Sequence, residues 1–142
     1  MAQDDYIRRI NPVDFEPDVG IGLAFPLTSD HKTKFKLNYQ TSDQTRDNLL
    51  NLLMTMKGER YMLPEYGTNL RKVLFETGDN DILSATQSII TDAIAMWMPL
   101  VIVNDIQLFQ DVKNEHLFYI KMLYSTQYDV TQVEKLEVNI TI

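Results

Sequence analysis

The spacing of apolar residues changes at Pro99, and this change limits what the chain can fold into. Between Ile82 and Trp97, apolar residues recur at helical spacing, which predicts a long helix that Pro99 ends. Beyond Pro99, polar and apolar residues alternate, which predicts strands. Helices followed by a meander of antiparallel strands are typical of the α+β class.

The first two predicted strands form a hairpin. Val101–Phe109 alternates in polarity and places Ile102, Ile106 and Leu108 on one face. After a polar turn, the run Leu117–Tyr124 is dense in aromatic and branched residues, which favour strands. Two such runs joined by a short turn indicate antiparallel pairing.

The last predicted strand extends to the final residue of the sequence. One face carries Leu136, Val138, Ile140 and Ile142, and the other carries Lys135, Glu137, Asn139 and Thr141. Such a strand either pairs inside its own sheet or lies at an exposed edge. At an exposed edge, the main chain of a partner can join the sheet by β-augmentation. The pattern alone leaves both alternatives open.

Two helices are predicted before the long one. Thr41 begins the first, with Gln44 spaced for a capping box, although Ser42 could cap the helix equally well. Its apolar stripe runs up to Gly58, and a short helix follows over Leu70–Phe75. The predicted fold is therefore α+β, with three helices, one of them short, packed on a small, mainly antiparallel C-terminal sheet with an exposed edge.

The N-terminal residues 1–21 mix acidic residues, prolines and isolated aromatics without a sustained period. We predict an arm that is partly disordered in the free protein, followed by a single domain over residues 22–142. Ile7, Ile10, Val13 and Phe15 give this arm apolar surface that a partner could bury.

Composition excludes several classes of function. The chain has no cysteine, and its formal net charge of −7 opposes binding to a phosphate backbone, so we expect no nucleic-acid partner. It has neither an apolar run of membrane-spanning length nor a secretory signal pattern, so we expect no membrane partner and a protein that stays in the cytosol where it is made. Its histidines, His31 and His116, lie far apart, so we predict no metal site and no cofactor.

The segment Gly58–Gly67 is a loop rich in turn formers, charge and aromatic residues. Glycines at both ends and an internal proline prevent a helix from continuing through it. We expect specific contacts to hold its shape, with Arg60 pairing with Glu59, Glu65 or the downstream Glu76. A loop of this composition is typical of a place where a small domain meets a partner.

One enzymatic alternative is a peptidoglycan-degrading hydrolase of the muramidase type. Hydrolysis of a sugar bond needs two carboxylates, which could be Glu59 and Glu65, or Glu65 and Glu76. Arg60 beside them would lower the pKa of a neighbouring glutamate, which is the wrong direction for a general acid. A structural salt bridge is therefore favoured, and Trp97 is better explained as a core anchor than as a sugar platform.

Five different short motifs follow one another along the chain. They are Phe25-Pro26-Leu27, Thr55-Met56-Lys57-Gly58-Glu59-Arg60, Pro64-Glu65-Tyr66-Gly67, Leu74-Phe75-Glu76 and Trp97-Met98-Pro99. In this order and spacing, the chain resembles the small baseplate wedge proteins of contractile-tailed phages, the sheath initiators, whose relatives serve in type VI secretion baseplates. The resemblance extends from about Gly22 to the end.

One motif departs from the family pattern. Many members carry Glu-Pro-Arg after the long helix, a motif implicated in gripping a helical bundle of neighbouring wedge proteins. This chain has Met98-Pro99-Leu100 there, so the turn is kept while both charges are lost. If the same surface is used here, it must be apolar.

The resemblance implies a non-enzymatic structural protein of the virion, located in the tail baseplate. It implies docking on baseplate wedge proteins and templating of sheath polymerisation, because the tail sheath subunit can add strands to the sheet edge. Tail tube or hub proteins are further candidate partners. The family has also been labelled lysozyme-like, which is the origin of the muramidase alternative.

The resemblance and the loop chemistry together assign roles to particular residues. Residues expected to bind wedge proteins are Glu59, Arg60, Pro64, Glu65, Tyr66, Trp97, Met98, Pro99 and Leu100. Residues expected to take part in strand addition are Leu136, Glu137, Val138, Asn139, Ile140, Thr141 and Ile142. Residues expected to be structural are Gly58, Gly67, Phe75 and Glu76.

Overall fold

A computed structural model describes residues 11–28, 35–76, 81–114 and 116–141. The chain divides into two compact units, Met1–Asn51 and Leu52–Ile142. The division predicted from the sequence, an arm over 1–21 and a domain over 22–142, stays a prediction.

The first unit is built from short elements and the start of a helix. Its elements are a 3-10 turn at Pro12–Phe15, strand β1 at Gly22–Leu23, strand β2 at Leu37–Asn38, and the first part of helix α1, Thr41–Met54. β1 and β2 pair antiparallel as a two-stranded sheet.

Helix α1 begins at Thr41, as predicted, but the predicted capping box does not form. Asp14 of the 3-10 turn satisfies the helix start instead. One carboxylate oxygen accepts the Thr41 N–H at 2.7 Å, and the other accepts the Thr41 hydroxyl at 2.6 Å. The Gln44 side chain bonds Asn38 and Asn48. An acceptor distant in sequence has thus replaced the local one, which sequence spacing alone could not reveal.

A buried carboxylate ties the small sheet to helix α1. Asp47 is 3% exposed, and its Oδ2 accepts the Phe25 N–H at 2.9 Å and the Asn38 side-chain amide at 2.7 Å. Its Oδ1 accepts the Arg46 guanidinium at 3.3 Å. Because a buried carboxylate is tolerated only when it is paired and hydrogen-bonded, these bonds fix β2 and the chain after β1 against the helix.

The second unit is an α+β arrangement, which confirms the predicted fold class. Its elements are α2 at Leu70–Glu76, α3 at Ile82–Trp97, β3 at Val101–Gln110, β4 at Leu117–Thr126 and β5 at Asp129–Thr141. The strands form one antiparallel sheet in the order β3-β4-β5, and α3 contacts both α2 and β3. Helix α1 ends at Met54, whereas its apolar stripe predicted an end near Gly58.

The alternation predicted for the last strand is confirmed within the described residues. Leu136, Val138 and Ile140 are at most 4% exposed, whereas the residues between them are exposed. The prediction for the first strand is wrong at Ile102. A bulge at Asn104 shifts the register of β3 against β4, so Ile102 lies on the face opposite Ile106.

Helix length also bears on the membrane question. Among the helices that the structure describes, none is both long and apolar enough to cross a membrane.

Candidate partner-binding surfaces

The loop between α1 and α2 is closed at its base by a short parallel bridge. Met56 pairs with Thr68, the Thr68 N–H donates to the Thr55 carbonyl at 2.8 Å, and the Lys57 N–H donates to the Thr68 carbonyl at 3.3 Å. Thr68 is 1% exposed, and its hydroxyl donates to the Leu53 carbonyl in the last turn of α1 at 3.0 Å. The two ends of the loop are therefore fixed to each other and to the helix.

Further bonds cross the interior of the loop. The Gly58 N–H donates to the Pro64 carbonyl at 2.7 Å, and the Met56 N–H donates to the Glu59 carboxylate at 2.9 Å. The Leu63 N–H donates to the Arg60 carbonyl at 3.3 Å. The loop is thus a compact Ω-like element with a defined shape.

Both loop glycines adopt positive φ, but their surroundings differ. Gly58 has φ of +88°, and a Cβ built there would meet nothing within 4 Å. Gly67 has φ of +110°, and a Cβ there would overlap the Thr55 carbonyl oxygen and carbon, both less than 3.0 Å away. Only glycine allows the chain to pass this close to the end of α1 at Gly67.

The tip of the loop exposes apolar side chains. Tyr61 is 96% exposed, Met62 is 88% exposed and Leu63 is 42% exposed. Large apolar side chains with such high exposure, on a loop whose base is held by hydrogen bonds, are typical of a protein-docking site.

Arg60, Tyr66 and Trp97 form a stacked cluster. The Arg60 guanidinium carbon lies 3.8 Å from the centroid of the Tyr66 ring. The Tyr66 ring meets the Trp97 ring edge to face, with centroids 5.2 Å apart and planes at 66°. Partial burial raises the pKa of the Tyr66 phenol, and the nearby Arg60 charge opposes that rise.

The predicted ion pair of Arg60 is wrong. Within the described residues, its guanidinium forms no salt bridge with Glu59, Glu65 or Glu76. The Glu59 carboxylate bonds a main-chain N–H, and the aromatic face of Tyr66 takes the guanidinium instead. A cation over a ring gains attraction without removing a carboxylate from water, which explains why this pairing competes well at a partly exposed site.

The turn after α3 is fixed to the β4–β5 hairpin. The Val101 N–H donates to the Met98 carbonyl at 2.9 Å, which makes the turn. Gln127 then donates its N–H to the Leu100 carbonyl at 2.9 Å and its side-chain amide to the Pro99 carbonyl at 3.3 Å. Leu100 is 47% exposed, so the turn presents an apolar side chain from a rigid support.

Trp97 lies at the end of α3, half-buried against Tyr66. Its indole nitrogen is buried and has no hydrogen-bond partner in the part of the chain that the structure describes. The structure therefore brings together the two segments that the sequence assigned to wedge binding, the loop and the turn after the long helix. Their individual partner-binding roles stay predictions.

Strand β5 lies at the edge of its sheet. It pairs with β4 on one side, and among the described residues no strand pairs with its other side. Ile142 lies outside the described residues, so its predicted place in strand addition stays a prediction.

The register identifies which β5 residues point outward. The Asp111 N–H bonds the Leu117 carbonyl at 2.9 Å, and bonded pairs alternate with non-bonded pairs in an antiparallel ladder. Counting from that pair, the main-chain groups of Phe118, Ile120 and Met122 point away from β3 and toward β5. The opposite residues, Ile140, Val138 and Leu136, therefore bond β4.

The residues between them direct their N–H and C=O groups outward. These residues are Lys135, Glu137, Asn139 and Thr141. None of these outward groups has a main-chain partner within the described ranges. On the exposed face, Lys135 and Glu137 form a salt bridge, and the hydrogen bond from Lys135 lowers the pKa of the Glu137 carboxyl.

The other edge of the sheet, formed by β3, is partly covered by helix α3. The Gln87 side chain of α3 donates to the Ile106 carbonyl of β3 at 3.1 Å. This bond also agrees with the register argument, because it requires the Ile106 carbonyl to point away from β4. Helix α3 thus covers part of the β3 edge with a polar side chain, while the β5 edge is left open among the described residues.

The candidate catalytic glutamates all lie at exposed positions. The Glu59 carboxylate bonds Met56, and Glu65 and Glu76 are exposed. His116 is exposed, and His31 lies outside the described residues. Within the described ranges, no three His, Cys, Asp or Glu side chains are grouped so that they could hold a metal ion.

Some features of these surfaces were missed from the sequence. Phe75, assigned a structural role, is 75% exposed and contributes little to the core. Thr68 and Gln127 were not singled out, although they fix the loop and the turn. Tyr61 and Met62 belonged to a loop recognised as a meeting place, but exposure at its tip has no signal in the sequence.

A family model matches most of the chain. The model described as "Baseplate wedge protein gp25" matches residues 40–128, which include α1 to β4 and the whole loop. No curated protein sequence matches the chain at a significant level.

Several solved structures share the fold. A Geobacter sulfurreducens protein named as a candidate tail lysozyme superposes with a TM-score of 0.66 at 16% identity, covering 75% of this chain and 96% of that one. A chain of the type VI secretion baseplate complex gives 0.57 at 16% identity, covering 70% and 91%. A chain of the anti-feeding prophage baseplate gives 0.57 at 19% identity, covering 84% and 82%.

We expect the two loop glycines to respond differently to substitution. Gly67→Ala should lower the free energy of unfolding by about 2–4 kcal/mol, because the new Cβ clashes with the Thr55 carbonyl and the residue keeps a positive φ. Gly58→Ala should cost only about 1–2 kcal/mol, since its Cβ meets open space. Urea unfolding of both variants measures the difference, and equal losses would contradict the close approach at Gly67.

Proposed function

The chain belongs to the baseplate wedge protein gp25 family, and on that premise we propose that it is a structural component of a contractile-tail baseplate. It docks on neighbouring wedge proteins through the Gly58–Gly67 loop and the Trp97–Leu100 turn. It templates sheath polymerisation by accepting a strand of the tail sheath subunit at the β5 edge. The open β5 edge is the observation that carries this proposal.

Strand addition needs main-chain donors and acceptors that are free and correctly spaced. Lys135, Glu137, Asn139 and Thr141 supply one outward donor and one outward acceptor each, at the two-residue spacing of a strand. On the other side, β5 bonds β4 along this stretch, and its apolar side chains are buried. A strand of the sheath subunit can therefore pair with β5, whose own register is already set by its pairing with β4.

We expect proline at an outward position to block strand addition while keeping the fold. Asn139→Pro removes only an N–H that points away from β4, and proline is tolerated on edge strands in that orientation. Purified protein should melt close to the wild-type temperature, but baseplates that carry it should not nucleate sheath in electron micrographs.

Two matched variants control this experiment. Asn139→Ala removes the same side chain and keeps the N–H, so sheath should form normally. Val138→Pro removes an N–H that bonds β4, so the protein itself should lose stability. Normal sheath on Asn139→Pro baseplates would refute the role of the edge.

Docking on wedge proteins is supported by the chemistry of the loop tip and the turn. Tyr61, Met62 and Leu100 are exposed apolar residues on segments that the Thr68 and Gln127 bonds hold in place. The order Met98-Pro99-Leu100 makes this surface apolar where related proteins carry charge. Aromatic residues and methionine are enriched in the buried centres of protein interfaces.

We expect Tyr61→Ser combined with Met62→Ser to weaken docking without loss of stability. Both side chains are exposed, so the free energy of unfolding should change little. Incorporation into baseplates, measured by competition with wild-type protein, should fall at least about tenfold. Val112→Ser, at a fully exposed residue in the β3–β4 turn, is the control and should incorporate normally. Equal incorporation of all three proteins would exclude the loop tip from the interface.

We propose that the chain is not an enzyme. The Glu59 carboxylate accepts a main-chain N–H, and Glu65 is exposed to solvent, so neither is held in the enclosed site that a catalytic pair of carboxylates needs. Purified protein should therefore release no more product from peptidoglycan than Glu65→Gln does. Hydrolysis that this substitution removes would establish the muramidase alternative. The proposed location is the tail baseplate, with tail tube or hub proteins as further neighbours.

A further inference from the structure

The Arg60 guanidinium is oriented but chemically unsatisfied. Its central carbon lies over the Tyr66 ring, 3.8 Å from the centroid, and Tyr66 in turn contacts Trp97 edge to face. In the described part of the chain, no carboxylate lies within salt-bridge distance of it. Since no hydrogen bond or ion pair of the Arg60 side chain occurs among the described residues, its planar set of N–H donors is available to an acceptor on a partner.

The surrounding segment has the opposite charge balance to the rest of the chain. Residues 57–72 contain four basic residues, Lys57, Arg60, Arg71 and Lys72, against Glu59 and Glu65, in a chain whose formal net charge is −7. With both glutamates counted, this segment still carries an excess of positive charge. It therefore favours an acidic partner, whereas the negative charge of the whole chain opposes binding to a phosphate backbone.

We propose that Arg60 is an anchoring residue that binds an aspartate or glutamate carboxylate of a protein partner, with Tyr66 as the platform that fixes the guanidinium plane. This inference rests on the proposed docking of the loop and names the chemistry of the group it meets. A carboxylate can accept two parallel N–H bonds from a guanidinium, and a stacked guanidinium loses little freedom on forming them. Tyr61 and Met62 follow Arg60 in the sequence and are exposed, so a partner that covers them would exclude water from such a pair.

The carboxylate binding can be measured on the full-length free protein. The probe is a short, blocked tetraglutamate peptide, with tetralysine as the charge control, and the readout is the arginine Nε–Hε NMR signals. The Arg60 signal, assigned by its loss in Arg60→Lys, should shift saturably with tetraglutamate and not with tetralysine. Arg71, exposed on α2, is the internal control and should shift less.

Variants separate the platform from simple charge. Arg60→Lys keeps the charge but not the planar fork, so tetraglutamate affinity should fall about tenfold. Tyr66→Phe keeps the ring and should bind as the wild type does, whereas Tyr66→Leu removes the platform and should weaken binding. Equal shifts of Arg60 and Arg71, or equal affinity of Arg60→Lys and wild type, would overturn the proposal.

A separate measurement distinguishes this inference from the proposed function. Wild-type protein and Arg60→Lys are each added to baseplates that lack the chain. If wild type incorporates and Arg60→Lys incorporates equally well, the carboxylate anchor is wrong while docking stands. If wild type does not incorporate at all, the proposed docking is wrong whatever the peptide shows.

Discussion

The contact between the end of α1 and Thr68 is the constraint on which the rest of the loop depends. Thr68 bonds the Leu53 and Thr55 carbonyls, so it satisfies acceptors that a helix leaves free at its C-terminal end. This places the chain so close to Thr55 that only Gly67 fits before it. The bonds at the base offset the entropy cost of closing the loop, and the bonds across its interior offset the cost of ordering the residues between its ends.

Closure of the loop also sets the position of the aromatic cluster. Tyr66 directly precedes Gly67, so fixing the base of the loop fixes the ring that receives Arg60 on one side and Trp97 on the other. A cation-over-ring contact and an edge-to-face pair are each worth about 0.5–1.5 kcal/mol, too little to order a loop alone. They orient side chains on a backbone that hydrogen bonds have already positioned.

The sequence revealed more of the fold than of the contacts between side chains. Alternation predicted β5 because a strand with one buried face must repeat every two residues, and Leu136 and Val138 obey this rule. The same rule placed Ile102 on the wrong face, because a bulge depends on cross-strand register, which the local pattern does not encode. The partner of Arg60 was also beyond reach, since acids and aromatics lie equally near it in sequence and only the folded loop selects Tyr66. Exposure at Tyr61 likewise depends on where the closed loop directs its tip.

Gln127 gives the two proposed surfaces a common support. It bonds the carbonyls of Pro99 and Leu100, and it lies in the turn that connects β4 to β5. A partner that binds the turn after α3 therefore contacts a segment that is bonded to the β4–β5 hairpin. The outer strand of this hairpin, β5, has the open edge. Because β5 pairs with β4 from Glu134 to Thr141, with main-chain bonds at Leu136, Val138 and Ile140, the register of the hairpin is well specified. Docking at the turn can thus fix the orientation of the β5 edge, as the proposed role as a sheath template requires.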